Sequence, residues 1–253
     1  MIMKIALITG ATSGIGKATA ELFAANKINL ILTGRRKERL TALEKSLREK
    51  YAIEIVCLNF DVQHYPEVST ALESLPEKWK EIDILVNNAG LALGLGPIQE
   101  GKISDWEQMI DTNVKGLLYV TRQVAPWLMA RKKGHIVNIS SIAGTQTYPN
   151  GNVYCASKHA VVGLSKSMRI DLLPYGIRVS SISPGMVETE FSLVRFNGDE
   201  ELARKPYLGL KPLTAEDIAD AVWYAVSRKA HVNITDIEIT PTAQANVRDA
   251  IRV

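Results

Sequence analysis

Short apolar runs alternate with amphipathic stretches along most of the chain. The first run, Ile5 to Ile8, enters a glycine-rich stretch and then a helical pattern that reaches about Ala25. Ile28 to Thr33 is apolar without a polar partner at every second position, the pattern of a strand buried on both faces. Runs at Ile53 to Leu58, Ile82 to Val86, His135 to Ser140, Ile177 to Ser183 and Asp236 to Thr240 predict further strands. A helical period predicts helices over Lys37 to Lys50, Asp105 to Arg131, Val153 to Leu173 and Asp217 to Ser227. Pro126 predicts a kink in the second of these, and Pro174 a stop after the third. Glu188 to Leu213 has no sustained period and reads as irregular. Repeated strand–helix units with short links imply parallel strands and right-handed crossovers, hence a doubly wound α/β sheet.

A chain of 253 residues fits one such domain, and no linker, charge block or short repeat divides it. The formal net charge of +3, with the basic residues scattered, gives no footprint for nucleic acid. Cys57 and Cys155 are isolated thiols, which argues against a disulfide framework and against a metal site. The N-terminal run lacks the shape of a secretion signal, and no run of about 18 apolar residues is present to span a membrane. A cytoplasmic location is expected.

Ligands of doubly wound sheets bind at the carboxyl ends of the strands, and the distinctive short motifs fall there. After the first strand comes Gly10-Ala11-Thr12-Ser13-Gly14-Ile15-Gly16. Its glycines allow a tight turn and close approach to a pyrophosphate, and the following helix start offers free N–H groups. A purely structural turn is the alternative. After the second strand, Arg35-Arg36 stands where an acid would hold the ribose hydroxyls of NAD; arginine there suits the 2′-phosphate of NADP. The competing account is a solvated charge run, since Lys37, Glu38 and Arg39 follow. Cations at a helix start oppose its dipole, so an anionic partner explains the pair better. Asp61-Val62, Asn88-Ala89-Gly90, Ser140-Ser141 and Pro184-Gly185 end the next four strands.

Tyr154 and Lys158 lie four residues apart in a predicted helix and so share a face. A free phenol, with a pKa of about 10, is a poor base at neutral pH. A nearby ammonium is expected to lower it, so that Tyr154 can exchange a proton with an alcohol or carbonyl oxygen. Ser141, favoured by position over Ser140, is placed to hold that oxygen. Asn113, an indifferent helix former within a long helical pattern, is placed to fix a water linking Lys158 to solvent. A turn serine and a helix irregularity are the plain alternatives.

Together these residues resemble the short-chain dehydrogenase/reductase family over nearly the whole chain: a TGxxxGxG loop, an NNAG stretch, an Asn, a Ser, a YxxxK pair and a PG, in that order. The resemblance implies a Rossmann sheet of seven strands in the order 3-2-1-4-5-6-7, no metal, and a homotetramer. It implies a catalytic tetrad of Asn113, Ser141, Tyr154 and Lys158, with Lys158 also binding the nicotinamide ribose. It implies NADP contacts along the glycine loop, at Arg35, Arg36, Asp61, Val62, Asn88, Ala89 and Gly90, and at Pro184, Gly185, Val187 and Thr189. LVNNAGLALG (Leu85 to Gly94), WEQMIDTN (Trp106 to Asn113), GNVY (Gly151 to Tyr154) and TEFSLVRF (Thr189 to Phe196) are similar to the family's NADP-dependent 3-hydroxy acid dehydrogenases. That likeness implies small substrates such as serine, allo-threonine, 3-hydroxypropionate and 3-hydroxyisobutyrate, or the matching carbonyls. Cys155 and Ser157 depart from the residues usual after the tyrosine and are not expected to touch the chemistry. A substrate carboxylate needs a cation. Arg195, in an irregular segment expected to form a lid at 188–213, is the candidate, unless Glu190 or Asp199 pairs with it. A reductase of 3-oxoacyl thioesters or other carbonyls, or a cofactor-binding protein without turnover, remains an alternative.

Overall fold

The computed structural model describes residues 4–253. Seven parallel strands form one sheet in the order β3-β2-β1-β4-β5-β6-β7: β1 (Ile5–Ile8), β2 (Asn29–Gly34), β3 (Ile55–Asn59), β4 (Ile84–Asn87), β5 (Gly134–Ile139), β6 (Ile177–Pro184) and β7 (Asp236–Ile239). The expected doubly wound sheet and its strand order are therefore present. The helices are α1 (Gly14–Ala25), α2 (Lys37–Lys50), α3 (Tyr65–Glu73), α4 (Glu77–Lys80), α5 (Ile103–Ile110), α6 (Leu117–Arg131), α7 (Asn152–Leu172), α8 (Phe191–Arg195), α9 (Glu200–Arg204) and α10 (Ala215–Val226).

The unbroken apolar character of the strands has a direct cause. Ala6 and Ile8 of β1, with Leu30 and Leu32 of β2, pack on one face beside Phe23, Leu40, Leu47 and Val222 of α1, α2 and α10. Leu7 and Ile31 point the other way, into a second core with Leu72, Val124, Leu128 and Val161 of α3, α6 and α7. Side chains alternate between faces along a strand, so a sheet covered on both sides needs apolar residues at every position. Ile53 and Ile82 lie just outside the paired strands although the sequence pattern includes them; both are buried, but neither belongs to a paired strand.

The helical run expected from Asp105 to Arg131 is present without a break, from Ile103 to Arg131, but it is not α-helical throughout. A wide π-helical turn, Asp111–Gly116, separates α5 from α6. The irregularity falls at Asn113, whose side chain is bound to backbone outside the helix, and α6 continues past Pro126 to Arg131. Proline removes an N–H and crowds the carbonyl one turn earlier, but Val120, Val124 and Leu128 hold this helix in the core on both sides of it. The segment read as irregular contains α8 and α9, and α3 and α4 fill the connection from β3 to β4. Thr214 and Asp217 form a reciprocal capping box that fixes the start of α10 and closes that segment. Among the described residues, no helix is long and apolar enough to cross a membrane.

Candidate active site

A cavity of about 540 Å³ opens at the carboxyl ends of the strands. Of the residues named one by one as expected to act in catalysis or to contact cofactor or substrate, and the glycines of the loop, all but Gly16 and Asn113 line it. Those two stand behind the lining and shape it.

The floor is the loop from Thr9 to Gly16. Gly10 adopts φ +66°, a left-handed conformation that strains any other residue. Gly16 is needed for closeness: a Cβ there would drive into the Gly10 carbonyl and the Asn88 amide. Ser13 precedes α1 without capping it by its side chain, which leaves the first N–H groups of the helix free to meet an anion. Asn88 supports the loop from behind. Its Nδ2 donates to the Thr9 carbonyl at 2.9 Å and the Gly10 carbonyl at 3.2 Å, so the amide expected to face a cofactor is engaged in holding the turn. Thr9 Oγ1 accepts from the N–H groups of Asn88 and Ala89, both at 3.0 Å, and locks the two strand ends together.

Arg36 does not lie out in solvent as part of a charge run. Its NH2 donates to Ser13 Oγ at 2.7 Å and Thr12 Oγ1 at 3.0 Å, and its NH1 meets Glu190 at 2.8 Å. Arg35 reaches Asp61 at 3.3 Å. Two guanidinium groups thus converge beside the glycine loop, where a phosphate would be welcome.

At the other end of the cavity, α7 presents Tyr154 and Lys158. Lys158 Nζ donates to the Ile139 carbonyl at 3.0 Å and stands 6.0 Å from the centre of the Tyr154 ring. Burial pulls the Lys158 ammonium down to about 8. Burial likewise pushes the Tyr154 phenol above its ordinary range; Tyr148 adds to this, whereas Ser141 and Arg195 pull it back. The expected lowering of the phenol is therefore not produced by the protein's own groups. Desolvation outweighs the neighbouring charges, and Lys158 is itself pushed toward neutrality.

Ser140 and Ser141 separate clearly. Ser140 Oγ donates to the Lys158 carbonyl at 3.2 Å and serves packing of α7. Ser141 Oγ accepts from Ala143 N at 3.1 Å and donates to the Pro184 carbonyl at 3.3 Å, on the side of Tyr154. Asn113 is held more firmly than expected. Its Oδ1 accepts from Leu91 N at 2.8 Å, and its Nδ2 donates to Leu91 O at 2.8 Å and Ser157 Oγ at 3.0 Å. Ser157 in turn donates to the Tyr154 carbonyl at 2.7 Å. Ser157, not expected to touch the chemistry, has a supporting place: it joins Asn113 to the turn of helix that carries Tyr154.

Arg195, at the end of α8, donates from Nε to the Gly94 carbonyl at 3.1 Å and from NH1 to the Tyr148 hydroxyl at 3.0 Å. Its Cζ lies 5.6 Å from the ring centres of both Tyr148 and Tyr154. Neither alternative acid takes it. Glu190 is held by Arg36 and Arg39, and Asp199 caps α9 through Leu202 N. Among the described residues, no carboxylate forms an ion pair with Arg195. Tyr148, Phe191 and Gln244 also line the cavity and were not legible as site residues. Phe191 sets its edge on Tyr154 at 5.7 Å, and Gln244 Oε1 accepts from Met186 N at 2.9 Å. Only Phe191 carried a signal, as part of the TEFSLVRF stretch.

A glycine-cradled cleft on a doubly wound sheet, with paired arginines at one end and a Tyr–Lys pair at the other, is the form of a dinucleotide-dependent oxidoreductase. Comparison with known proteins agrees. The short chain dehydrogenase family model matches residues 4–198. The NADP-dependent 3-hydroxy acid dehydrogenase YdfG of Salmonella typhi is 48% identical over 242 residues, covering 95% of this chain and 96% of that protein. Sulfoacetaldehyde reductase 2 of Chromohalobacter salexigens is 46% identical, covering 95% of each. The closed form of a serine dehydrogenase complexed with NADP+ superposes with a TM-score of 0.92 at 44% identity, covering 98% of this chain and 99% of that one. The chain belongs to the short chain dehydrogenase family.

Proposed function

We propose that the protein is an NADP-dependent oxidoreductase that oxidises the hydroxyl of small 3-hydroxy acids of the serine, allo-threonine or 3-hydroxypropionate type, or reduces the matching carbonyl. The residues present suit NADP. Gly16 and Gly10 make room for a pyrophosphate, and Arg35 and Arg36 with the hydroxyls of Thr12 and Ser13 suit a 2′-phosphate. Asp61, Val62, Ala89, Gly90, Pro184, Gly185, Val187 and Thr189 line the cleft between these and Tyr154. When bound, NADP supplies the hydride acceptor or donor.

The chain's own groups then divide the remaining work. Tyr154 Oη takes the proton of the substrate hydroxyl, or returns it to the carbonyl oxygen. Ser141 holds that oxygen. Lys158 sets the charge around the phenol and binds the ribose. Asn113, through Leu91 and Ser157, fixes the wall on which Tyr154 stands. The segment 188–213, with α8 and α9, works as a lid that brings Arg195 to the substrate carboxylate. The working form is a homotetramer in the cytoplasm, for which the exposed Leu118 and Ile170 on α6 and α7 supply apolar contact surface.

The observation that most supports this reading is Arg195: a guanidinium without a carboxylate partner, beside the acid/base candidate, in the cavity that holds the glycine loop. A charge-assisted hydrogen bond contributes about 1.5–3 kcal/mol. Arg195→Ala is therefore expected to raise KM for the hydroxy acids by roughly 10- to 100-fold, and to change KM for an uncharged secondary alcohol little. NADPH formation at saturating NADP measures both. Equal effects on the two substrates would remove Arg195 from carboxylate binding, and silence with every hydroxy acid would remove the substrate class. A second reading, a small sulfonate-bearing aldehyde as substrate, is favoured by the 46% identity to a sulfoacetaldehyde reductase and by a cation that suits either anion. NADPH consumption with sulfoacetaldehyde distinguishes it.

A further inference from the structure

Glu190 lies immediately before α8, on the lid side of the cleft, yet its carboxylate reaches arginines at the start of α2, and Glu190 and Arg36 both line the cavity. Oε2 meets Arg36 NH1 at 2.8 Å, and Oε1 meets Arg39 NH1 at 2.6 Å. The same Arg36 rests on Thr12 and Ser13 of the glycine loop. The other end of α8 is fastened too: Arg195 donates to the Gly94 carbonyl, and Gly94 N donates back to the Arg195 carbonyl at 3.0 Å. Five helical residues span only about 7 Å, so the segment between the two fastenings is short and stiff. Phe191, the first of them, touches Tyr154. The Arg36–Glu190 ion pair is closed while the cavity of about 540 Å³ that both residues line is open space, so the pair does not fill it.

We propose that Glu190 is a positioning residue: it clasps the lid to Arg36 and Arg39, so that one stiff segment links the phosphate-binding end of the cleft to Arg195 at the substrate end. The inference rests on the reading of the cleft as an NADP site. Under it, a bound dinucleotide lies beneath the clasp and leaves when the clasp opens. Arg36 and Arg39 hold the Glu190 carboxyl below its usual range, Arg36 most strongly, so the clasp stays charged at neutral pH. Both ion pairs are about half exposed. Their loss therefore corresponds to a modest effect, roughly 3- to 10-fold.

The test is Glu190→Gln, which keeps the shape and removes the charge. NADPH dissociation, followed by stopped-flow fluorescence, is expected to quicken roughly 3- to 10-fold, with equilibrium NADPH binding weakened to match. KM for the hydroxy acid should rise, while kcat holds or increases because release is faster. Trypsin should cut within 188–213 sooner than in the parent protein. Salt at about 0.5 M should shrink the gap between variant and parent, since it screens exposed ion pairs. Arg39→Gln should reproduce part of the effect, and the double variant should fall short of the sum. Unchanged dissociation and unchanged KM would overturn the clasp. Tighter NADPH binding by the variant would overturn it as well, making Glu190 a rival of the phosphate. If the parent protein itself fails to bind NADPH, the NADP reading falls rather than the clasp.

Discussion

Replacing Lys158 by Met should make the protein more stable and inactive at once. Lys158 is 6% exposed, and its ammonium donates to the Ile139 carbonyl. Burial takes it from the ordinary 10.5 to about 8. A fall of that size corresponds to roughly 3 kcal/mol of cost for holding the charged form inside the protein. Below pH 8 the lysine is charged both folded and unfolded, so the folded state carries the whole cost. Methionine has similar reach and no charge. Its loss of the Ile139 hydrogen bond offsets about 1 kcal/mol. The net gain at pH 7 is about 1–3 kcal/mol, or roughly 2–10 °C in Tm for a chain of this size. The sign with pH follows from proton counting. Between about pH 8 and 10.5 the unfolded chain holds the Lys158 proton and the folded chain does not, so the parent gains stability as pH rises. The advantage of Lys158→Met should therefore shrink from pH 7 to pH 10. Thermal melts at the two pH values, read by circular dichroism, measure it. A variant less stable than the parent at pH 7, or an advantage that does not change with pH, would refute the reasoning.

Two further substitutions probe the ends of the cleft. Tyr154→Phe removes the phenolic oxygen and should lower kcat by about 10²- to 10⁴-fold, with NADPH affinity within about 2-fold of the parent; ordinary turnover would take Tyr154 out of the proton transfer. Gly16→Ala places a Cβ against the Gly10 carbonyl and the Asn88 amide, and backbone cannot swing aside as a side chain can. It should cost about 1–3 kcal/mol of stability and weaken NADPH binding at least about 10-fold by fluorescence titration, and a variant that binds normally would show the close approach to be dispensable.

The sheet was legible because it is covered on both sides. Leu7 and Ile8 serve opposite cores, so the sequence could not alternate, and continuous runs such as Ile28 to Thr33 marked the strands. The strand ends then located the cleft. What escaped the sequence depends on contacts between distant residues. The π-helical turn at Asp111–Gly116 is written mostly in weak helix formers, which do not by themselves tell a π turn from an α turn; what marks it is the pairing of Asn113 with the backbone of Leu91, across 22 positions. Ser157 passed as a small substitution because its partner, Asn113, lies 44 positions away. Glu190 reaches Arg36 across 154 positions, and no local pattern in either segment announces that meeting. α3 was missed for a local reason: Tyr65-Pro66-Glu67 opens a helix of only nine residues, with Val68 and Leu72 as its buried anchors.

Residue types were easier to read than their ionisation. Tyr154 and Lys158 were placed together correctly, but the inference that the ammonium simply lowers the phenol considered only one force. In the same buried place, desolvation drives both groups toward neutrality, the phenol upward and the amine downward. Either charge alone is costly there. The two charges together are less so, because low dielectric strengthens their attraction across the 6.0 Å between Nζ and the ring centre. In the proposed reaction an ionised Tyr154 would be favoured by a charged Lys158, and that support would weaken as pH climbs through about 8. A base that needs a charged lysine beside it has an upper pH limit set by that lysine as well as a lower one set by itself.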